Sequence, residues 1–371
     1  MHPKLGSRTP GRAMTAFVLI MVFVAFASQL VAFQAVAIVT LACFVVSFLH
    51  LWPTATIAEK RAVQLVLLVL TISWPVAQIR NFPAIAHYIV VFLSLISAFI
   101  LTRDLQVYLF ASRWLLIGTL ASIFIYLSNT GLENFPLEEM IPGGSSSNGV
   151  TSYLIIAQIN YCIVRYVVNR KPSMLTPMLT LFVCYVGFGR ASLLAALAII
   201  FINTVIFPPK KYRFLVIILL GILSINLYSN YEADITYLID TTKLGAGLSD
   251  QHREDQLIAY LSSINAVTFV TGASYYGTII ADAYFGNPHN SYIRAHHIFG
   301  FLYLMTMLFF PLILLSSRVL ALRLFYPMTL ILILLLRAGT ETILFPTMLD
   351  IFFFAICFAT QNLLKNSVQR D

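Results

Sequence analysis

Residues 84–101 read AIAHYIVVFLSLISAFIL, a stretch of 18 positions without an Asp, Glu, Lys or Arg. As an α-helix rising about 1.5 Å per residue, it would be about 27 Å long, close to the thickness of a bilayer's hydrocarbon core. Similar apolar blocks recur along the chain from residue 14 to residue 363. The blocks are continuous rather than alternating, which favours transmembrane helices over a β-barrel.

The overall composition excludes an ordinary soluble protein. Hydrophobic residues make up 59% and charged residues 10% of the 371 positions, and the mean hydropathy is +0.86. A soluble domain has about 25% charged residues. The net charge of +8 is explained by lysines and arginines in cytoplasmic loops, so it does not indicate a nucleic-acid partner. The cysteines lie inside apolar blocks without metal-ligand spacing or a disulfide framework, namely Cys43, Cys162, Cys184 and Cys357.

The first apolar run has features of a signal peptide. Lys4, Arg8 and Arg12 precede it, and Ala25-Phe26-Ala27 is similar to a signal-peptidase site. However, the run continues to Leu51 without a polar mature sequence. We therefore expect an uncleaved first span.

Two apolar blocks are too long for one crossing. Residues 14–51 would form a helix of about 57 Å, so we expect a hairpin near Gln29 and Gln34. Residues 173–207 are cut near Gly189 and Arg190 for the same reason. The resulting twelve spans are about 14–31, 34–51, 62–78, 84–101, 105–128, 150–168, 173–188, 191–207, 213–229, 292–316, 324–336 and 342–363.

The basic residues orient these spans. With the N-terminus inside, 16 of the 23 lysines and arginines fall in cytoplasmic segments and 6 in outer segments. This follows the positive-inside tendency. We predict an all-α polytopic membrane protein with about twelve transmembrane helices in one integral membrane domain, residues 1–371, with both termini cytoplasmic. Its two largest polar loops, 129–149 and 230–291, lie on the outer face.

The two outer loops differ in content. Residues 129–149 end in a Gly- and Ser-rich turn, which fits either a lid or a solvated loop. Residues 230–291, between spans 9 and 10, contain a predicted amphipathic helix that Ser249 or Asp250 can cap. Its apolar residues recur at helical spacing and favour a position at the outer membrane interface, and they are Leu257, Ile258, Leu261 and Ile264.

Two arginines occupy notable positions. Arg190 lies among apolar residues at the outer boundary of a span, where a charge costs a few kcal/mol unless it faces a cavity or a partner. Both a functional and an anchoring role are open for it. Arg253 stands at the polar start of the predicted loop helix, where snorkelling or pairing with a nearby acid would explain it on pattern alone.

The stretch NPHNSYIRAHHIFGFLYL, residues 287–304, places polar groups where a helix enters the membrane. Asn290, Arg294 and His297 follow one another at i, i+4 and i+7, so one side of the first turns is polar. His296 and His297 are adjacent and point apart, which argues against a metal site. A histidine acting as general base beside cationic groups fits better, because neutral histidine can take up a proton near pH 7.

Three stretches together resemble the superfamily of O-antigen ligases and O-antigen polymerases. GFGRASLLAAL (187–197) resembles the motif of serine, arginine and small residues that opens a transmembrane helix. HREDQLIAYLSSINAVTFVTGAS (252–274) resembles the family's loop helix between G-R and G-x-G, and PHNSYIRAHHIFGFLYL (288–304) resembles its H-N entry helix. Their order, spacing and sidedness agree with the topology above. The resemblance covers about residues 150–320.

The resemblance implies a membrane glycosyltransferase of the bacterial inner membrane that uses no nucleotide sugar, metal or other cofactor. Such enzymes transfer a glycan from undecaprenyl diphosphate to a sugar hydroxyl at the periplasmic face, with expected inversion at the anomeric carbon. A polymerase extends another lipid-linked repeat, and this is the favoured function; a ligase transfers the glycan to lipid A core. The implied partners are the undecaprenyl-diphosphate-linked oligosaccharide, membrane lipid and other polysaccharide-assembly proteins.

The resemblance also implies residue roles. Arg190 and Arg253 match the family arginines that hold the diphosphate, and His289 matches the histidine near the acceptor or diphosphate. Guanidinium groups suit this role because they meet phosphate oxygens with paired donors. The predicted catalytic residues are therefore His289, Arg190 and Arg253, and the predicted substrate-binding residues are Asn290, Arg294, His252 and Tyr292.

The chain departs from the family pattern in the same stretches. His252 stands where the family has glycine before the loop arginine, and Tyr260 is the nearest aromatic after it. Gly189 stands where the family has serine, and the G-x-G is only Gly272-Ala273-Ser274.

Two other classes of function are alternatives to a glycosyltransferase. A transporter or flippase for a lipid-linked sugar predicts ionisable residues through the middle of the membrane. Only Arg113 and Asp350 lie clearly inside predicted spans, where they could pair with each other. A structural or interaction protein has no specific support in the sequence.

Overall fold

The computed structural model describes residues 48–49, 51–77, 82–130, 137, 140, 147–187, 189–206, 218, 221–222, 229, 251–282, 286–315 and 324–368. The predicted span 14–31, most of spans 34–51 and 213–229, and most of loop 129–149 lie outside these residues. So do the first part of loop 230–291, with the cap candidates Ser249 and Asp250, and the proposed cleavage site.

The described part of the chain is all-helical and contains thirteen α-helices, numbered here in chain order. Their bounds are α1 Ile57–Val76, α2 Phe82–Leu101, α3 Leu105–Thr130, α4 Ser147–Asn169, α5 Leu175–Val186, α6 Arg190–Ile206, α7 Gln251–Ser262, α8 Ala266–Thr271, α9 Ile279–Asp282, α10 Ser291–Phe299, α11 Phe301–Leu315, α12 Phe325–Ala338 and α13 Asp350–Val368.

Apolar helices of membrane-spanning character make up the bundle. Among the described residues, α2, α3 and α4 are long and apolar enough to cross a bilayer, and α5, α6, α11, α12 and α13 contain shorter apolar stretches. The chain is therefore an all-helical protein with the character of a membrane protein. The expected break before Arg190 is confirmed, since α5 ends at Val186 and α6 begins at Arg190.

The structure differs from the predicted spans at two places. Span 292–316 is interrupted, because Gly300 adopts φ +80° between α10 and α11. Span 342–363 does not start as a helix. Pro346 lacks an N–H, and the carboxylate of Asp350, the first residue of α13, accepts the N–H of Phe345 at 2.8 Å in the irregular segment before the helix.

The expected pair between Arg113 and Asp350 is wrong. Asp350 is fully buried, and its two carboxylate oxygens accept the backbone N–H groups of Phe345 and Thr347. Arg113 is exposed on the surface of α3. The two charges inside the predicted spans therefore do not pair with each other.

Helix α4 is the centre of the bundle and contacts α3, α5, α6, α12 and α13. Polar side chains join these helices, as transmembrane helices commonly require. Asn160 on α4 donates to Ser112 on α3 at 2.9 Å. On the opposite side, the hydroxyl of Tyr326 on α12 donates to Asn203 on α6 at 2.7 Å.

The helix ends fall into two groups. At one end, Glu59 in the first turn of α1 pairs with Arg103, just after α2, at 2.5 Å. At the other end, the first turns of α4, α6, α7 and α10 meet the C-terminus of α12 around a cavity. The cavity therefore lies where the ends of these helices meet, at the edge of the apolar bundle.

Candidate functional site

The cavity has a volume of about 250 Å³ and is built from five separate parts of the sequence. Its walls combine charged, polar and apolar side chains with backbone at a glycine. The lining residues are Asn148, Arg190, Ala191, Arg253, Glu254, Leu257, Pro288, His289, Asn290, Ile293, Gly339 and Thr340.

The structure brings the three predicted catalytic residues to this one cavity. Arg190 is the first residue of α6, Arg253 lies in the first turn of α7, and His289 directly precedes the N-cap of α10. Asn290, one of the predicted substrate-binding residues, also lines the cavity. Two guanidinium groups and an imidazole around one small space form a site suited to an anion.

A close approach between α4 and the start of α6 positions Arg190. At Gly189, a Cβ atom would lie 2.3 Å from Oγ1 of Thr151 on α4. The serine of the family pattern therefore has no room at this position. Glycine lets the two helices meet, and this sets the first turn of α6 against the cavity.

A second close approach at glycine residues joins α7 and α8 to the bundle. Gly272, with φ +91°, follows α8, and Gly300, with φ +80°, separates α10 from α11. A Cβ atom on Gly272 would lie 2.2 Å from the carbonyl oxygen of His296, and one on Gly300 would lie 2.4 Å from that of Val270. The loop after α8 thus packs directly on the backbone of α10, which fixes α7 and α8 beside the cavity.

The turn before α10 has an unusual backbone that presents His289. His289 adopts φ +45°, and its N–H donates to Oδ1 of Asn287 at 3.1 Å. The side chain of Asn290 then accepts the N–H groups of Tyr292 and Ile293, which caps α10. Non-glycine residues rarely adopt a positive φ, and such residues are concentrated at functional sites.

Residues 339–349, predicted in large part to be membrane helix, instead form an irregular segment that packs against this turn. The hydroxyl of Thr342 donates to Asn287 at 3.0 Å, and the hydroxyl of Ser291 donates to the carbonyl oxygen of Glu341 at 2.7 Å. The N–H of Ile343 in turn donates to the hydroxyl of Ser291 at 3.1 Å. The two segments therefore hold each other in place.

Glu341 is the central acid of the site. Its side chain is only 6% exposed, and Oε1 accepts from Nδ1 of His289 at 3.1 Å while Oε2 lies 3.6 Å from the guanidinium of Arg253. Burial alone would raise the pKa of Glu341, but the hydrogen bond and the charge of His289 lower it. The guanidinium groups of Arg337 and Arg253 act in the same direction, and the resulting pKa lies below the ordinary value for glutamate.

Arg337 lies directly beneath the cavity at the end of α12 and is 2% exposed. Its guanidinium donates to the carbonyl oxygen of Asn148 at 3.0 Å and to the hydroxyls of Ser192, Thr340 and Ser152. It therefore ties α4, α6 and α12 together and adds positive charge behind Arg190 and Arg253.

Two of the other predicted substrate-binding residues, Tyr292 and Arg294, are not among the residues that line the cavity. Tyr292 points to the end of α12, where its hydroxyl donates to the carbonyl oxygen of Leu335. Arg294 lies farther along α10, where its charge interacts with Tyr275, Asp350 and Tyr153. His252 is in the first turn of α7, next to Arg253.

The paired histidines of α10 fix the surrounding structure. Nε2 of His296 donates to the carbonyl oxygen of Phe269 at 2.8 Å, and its Nδ1 lies 2.7 Å from the hydroxyl of Tyr260. Nδ1 of His297 lies 2.9 Å from the carbonyl oxygen of Ala273. The ring of His296 thus joins α10 to α7 and α8, and the ring of His297 joins α10 to the loop after α8. Within the described ranges, no group of three or more His, Cys, Asp and Glu side chains is placed to hold a metal.

Sequence reasoning missed the contribution of residues 337–341. The only signal was an arginine and a glutamate four residues apart, Arg337 and Glu341, at the end of an otherwise apolar span. Nothing in the sequence marked Asn148 and Thr340 as site residues, since small polar residues are common at helix ends. Only the packing of α12 against α4 and α6 places them at the cavity.

Comparison of the chain with protein-family models, curated proteins and solved structures gave no match.

Proposed function

We propose that this protein is a membrane glycosyltransferase that takes a glycan from undecaprenyl diphosphate and transfers it to a sugar hydroxyl at the periplasmic face of the bacterial inner membrane. The observation that carries the proposal is the convergence of Arg190, Arg253 and His289 on one cavity at one end of an apolar bundle. Two arginines suit a diphosphate, and the histidine supplies a base for the hydroxyl.

The proposed reaction is a displacement at the anomeric carbon of the donor. The acceptor hydroxyl oxygen forms the new glycosidic bond while the bond from the anomeric carbon to the diphosphate oxygen breaks. The electron pair leaves on the diphosphate, where Arg190 and Arg253 stabilise the developing charge. The hydroxyl proton passes to Nε2 of His289, because Nδ1 faces Glu341, and then leaves to water. Attack opposite to the leaving group inverts the anomeric configuration.

The proposed topology has twelve spans with both termini in the cytoplasm, which places the cavity on the periplasmic side. Cysteine labelling tests this directly once Cys43 is replaced by serine, because Cys162, Cys184 and Cys357 are fully buried and react little. A cysteine replacing Glu254 should react with an impermeant maleimide in intact spheroplasts. A cysteine replacing Asp104, between α2 and α3, should react only after permeabilisation. The reverse pattern would contradict the assigned side.

We favour a polymerase of lipid-linked repeat units, with a ligase to lipid A core as the alternative. The test uses purified protein in nanodiscs with undecaprenyl diphosphate carrying the repeat made by the native host. A polymerase produces a ladder of products and free undecaprenyl diphosphate, and His289→Ala and Arg190→Ala abolish both. Arg113→Ala, which changes an exposed arginine of α3, is the matched control and should leave the ladder unchanged.

The other outcomes of this assay are equally informative. A single transfer that requires lipid A core would identify a ligase with the same site. No release of lipid diphosphate with either acceptor would overturn the glycosyltransferase and make a transporter of lipid-linked sugar the better hypothesis.

A further inference from the structure

One carboxylate, that of Glu341, contacts two of the three groups to which the proposed function assigns a role. Oε1 lies 3.1 Å from Nδ1 of His289, and Oε2 lies 3.6 Å from the guanidinium of Arg253. Oε2 is buried and accepts no hydrogen bond from the residues that the structure describes. The closer and hydrogen-bonded partner of the carboxylate is therefore the imidazole.

The backbone on both sides of this contact is fixed. The hydroxyl of Ser291 accepts the N–H groups of Ile343 and Leu344, both at 3.1 Å, and donates to the carbonyl oxygen of Glu341. On the other side of the contact, His289 adopts φ +45°, and its N–H donates to Oδ1 of Asn287. Hydrogen bonds hold the backbone of each partner, and the bond between Nδ1 and Oε1 orients the imidazole ring.

We propose that Glu341 is a positioning residue that sets the tautomer and the orientation of the His289 ring. A carboxylate at Nδ1 favours the imidazole with its proton on Nδ1, which leaves the lone pair of Nε2 for the acceptor hydroxyl. The negative charge then stabilises the imidazolium that forms when Nε2 takes the proton, as in other carboxylate–histidine pairs. This inference rests on the proposed function, in which His289 is the base.

The surrounding charges limit the size of the effect. The positive groups near the pair weaken the effect of the Glu341 carboxylate on the imidazole, whereas the negative charge of Glu254 strengthens it. The charged and titratable groups that face the pair are Arg190 of α6, Arg253 and Glu254 of α7, Arg337 of α12 and Tyr153 of α4. We therefore expect a change of about 100-fold in turnover on removal of the carboxylate, the lower end of what a placed general base contributes.

The kinetic test compares Glu341→Gln, Glu341→Asp and a control in the glycan-transfer assay. Glu341→Gln should lower kcat by about 100-fold with little change in KM for the lipid diphosphate. Glu341→Asp should recover part of the rate. The control is Asp255→Asn, because Asp255 lies on α7 and accepts from Gln251 at 2.9 Å on the exposed face. An unchanged kcat in Glu341→Gln, no recovery in Glu341→Asp, or an equal loss in Asp255→Asn would overturn the proposal.

A second measurement needs no substrate and separates this proposal from the proposed function. Diethyl pyrocarbonate acylates neutral imidazole, and the His289 side chain is 25% exposed at the cavity. Mass spectrometry of the His289 peptide should show slower labelling in Glu341→Gln than in the wild type at the same pH, because the carboxylate no longer keeps the lone pair on Nε2. Equal labelling rates would refute the coupling of the two residues. A slower rate in a protein without transferase activity would keep the coupling and remove the proposed function.

Discussion

Nε of Arg337 on α12 lies 3.3 Å from the hydroxyl oxygen of Ser192 on α6, although 145 positions separate the two residues. Ser192 is two residues after Arg190, and Arg337 is three residues before Thr340. This buried contact therefore fixes the relative position of two walls of the cavity. The same guanidinium donates to the carbonyl oxygen of Asn148, which brings in α4.

Arg337→Lys should destabilise the protein because an ammonium group cannot reproduce the fork that reaches three helices. We expect a loss of about 3 kcal/mol, as for other buried networks that lose a charged member. Thermal unfolding in detergent, followed by size-exclusion chromatography, measures this loss of stability. Arg113→Lys on the exposed surface of α3 is the matched control, and an equal melting temperature for the two variants would contradict the structural role.

Arg190→Lys and Arg253→Lys should each retain part of the transfer activity, whereas the alanine variants should lose it by about 100-fold or more in kcat/KM. Lysine keeps the charge near the leaving diphosphate but not the paired donors. The measurement is the release of undecaprenyl diphosphate at several donor concentrations. Equal activity of an alanine variant and the wild type would remove that arginine from the site.

Replacing Gly300 by alanine should impair folding more than replacing Gly277. Both residues have a positive φ, +80° for Gly300 and +79° for Gly277, so both variants incur the left-handed backbone cost of about 1 kcal/mol. Only Gly300 also meets backbone, with Val270 O at 2.4 Å from a Cβ atom, whereas nothing lies within 4 Å at Gly277. Thermal unfolding of the two variants separates these effects. Equal destabilisation would mean that the contact between the two loops is loose.

The lowered pKa of Glu341 makes stability depend on pH in a defined direction. Because its folded-state pKa lies below the ordinary value of 4.5, the ionised carboxylate stabilises the fold above about pH 4.5 and this contribution is lost as the pH falls through the lower folded-state value. The difference in melting temperature between wild type and Glu341→Gln should therefore shrink below pH 4.5. A difference that grows on acidification would contradict the assigned sign.

The outer helix α7 should contact lipid through one face. Its buried face carries Gln256 and Tyr260, at 1% and 2% exposure, whereas Ile258 and Leu261 are 64% and 56% exposed. An apolar exposed face fits the membrane interface. A tryptophan at position 258 should be quenched by brominated lipids more strongly than one at the polar position 254. Equal quenching would mean that α7 stands clear of the bilayer.

The sequence alone determined the class of the fold and the helices of the bundle. Long runs of apolar residues without charges admit few structures in lipid, because every backbone polar group must be bonded within the element. For that reason the described helices from α1 to α6 begin and end within a few residues of their predicted spans. The same logic located the break before Arg190 and the amphipathic helix that contains Arg253.

The tertiary structure decided which of the candidate residues meet. Local pattern treated Asn290, Tyr292 and Arg294 alike, because all three stand at the start of one helix. Packing turns Tyr292 toward α12 and leaves Asn290 at the cavity. The sequence did not indicate Glu341 as a site residue for the same reason. Its partners are 52 and 88 positions away, and contacts across a bundle produce no local periodicity in the sequence.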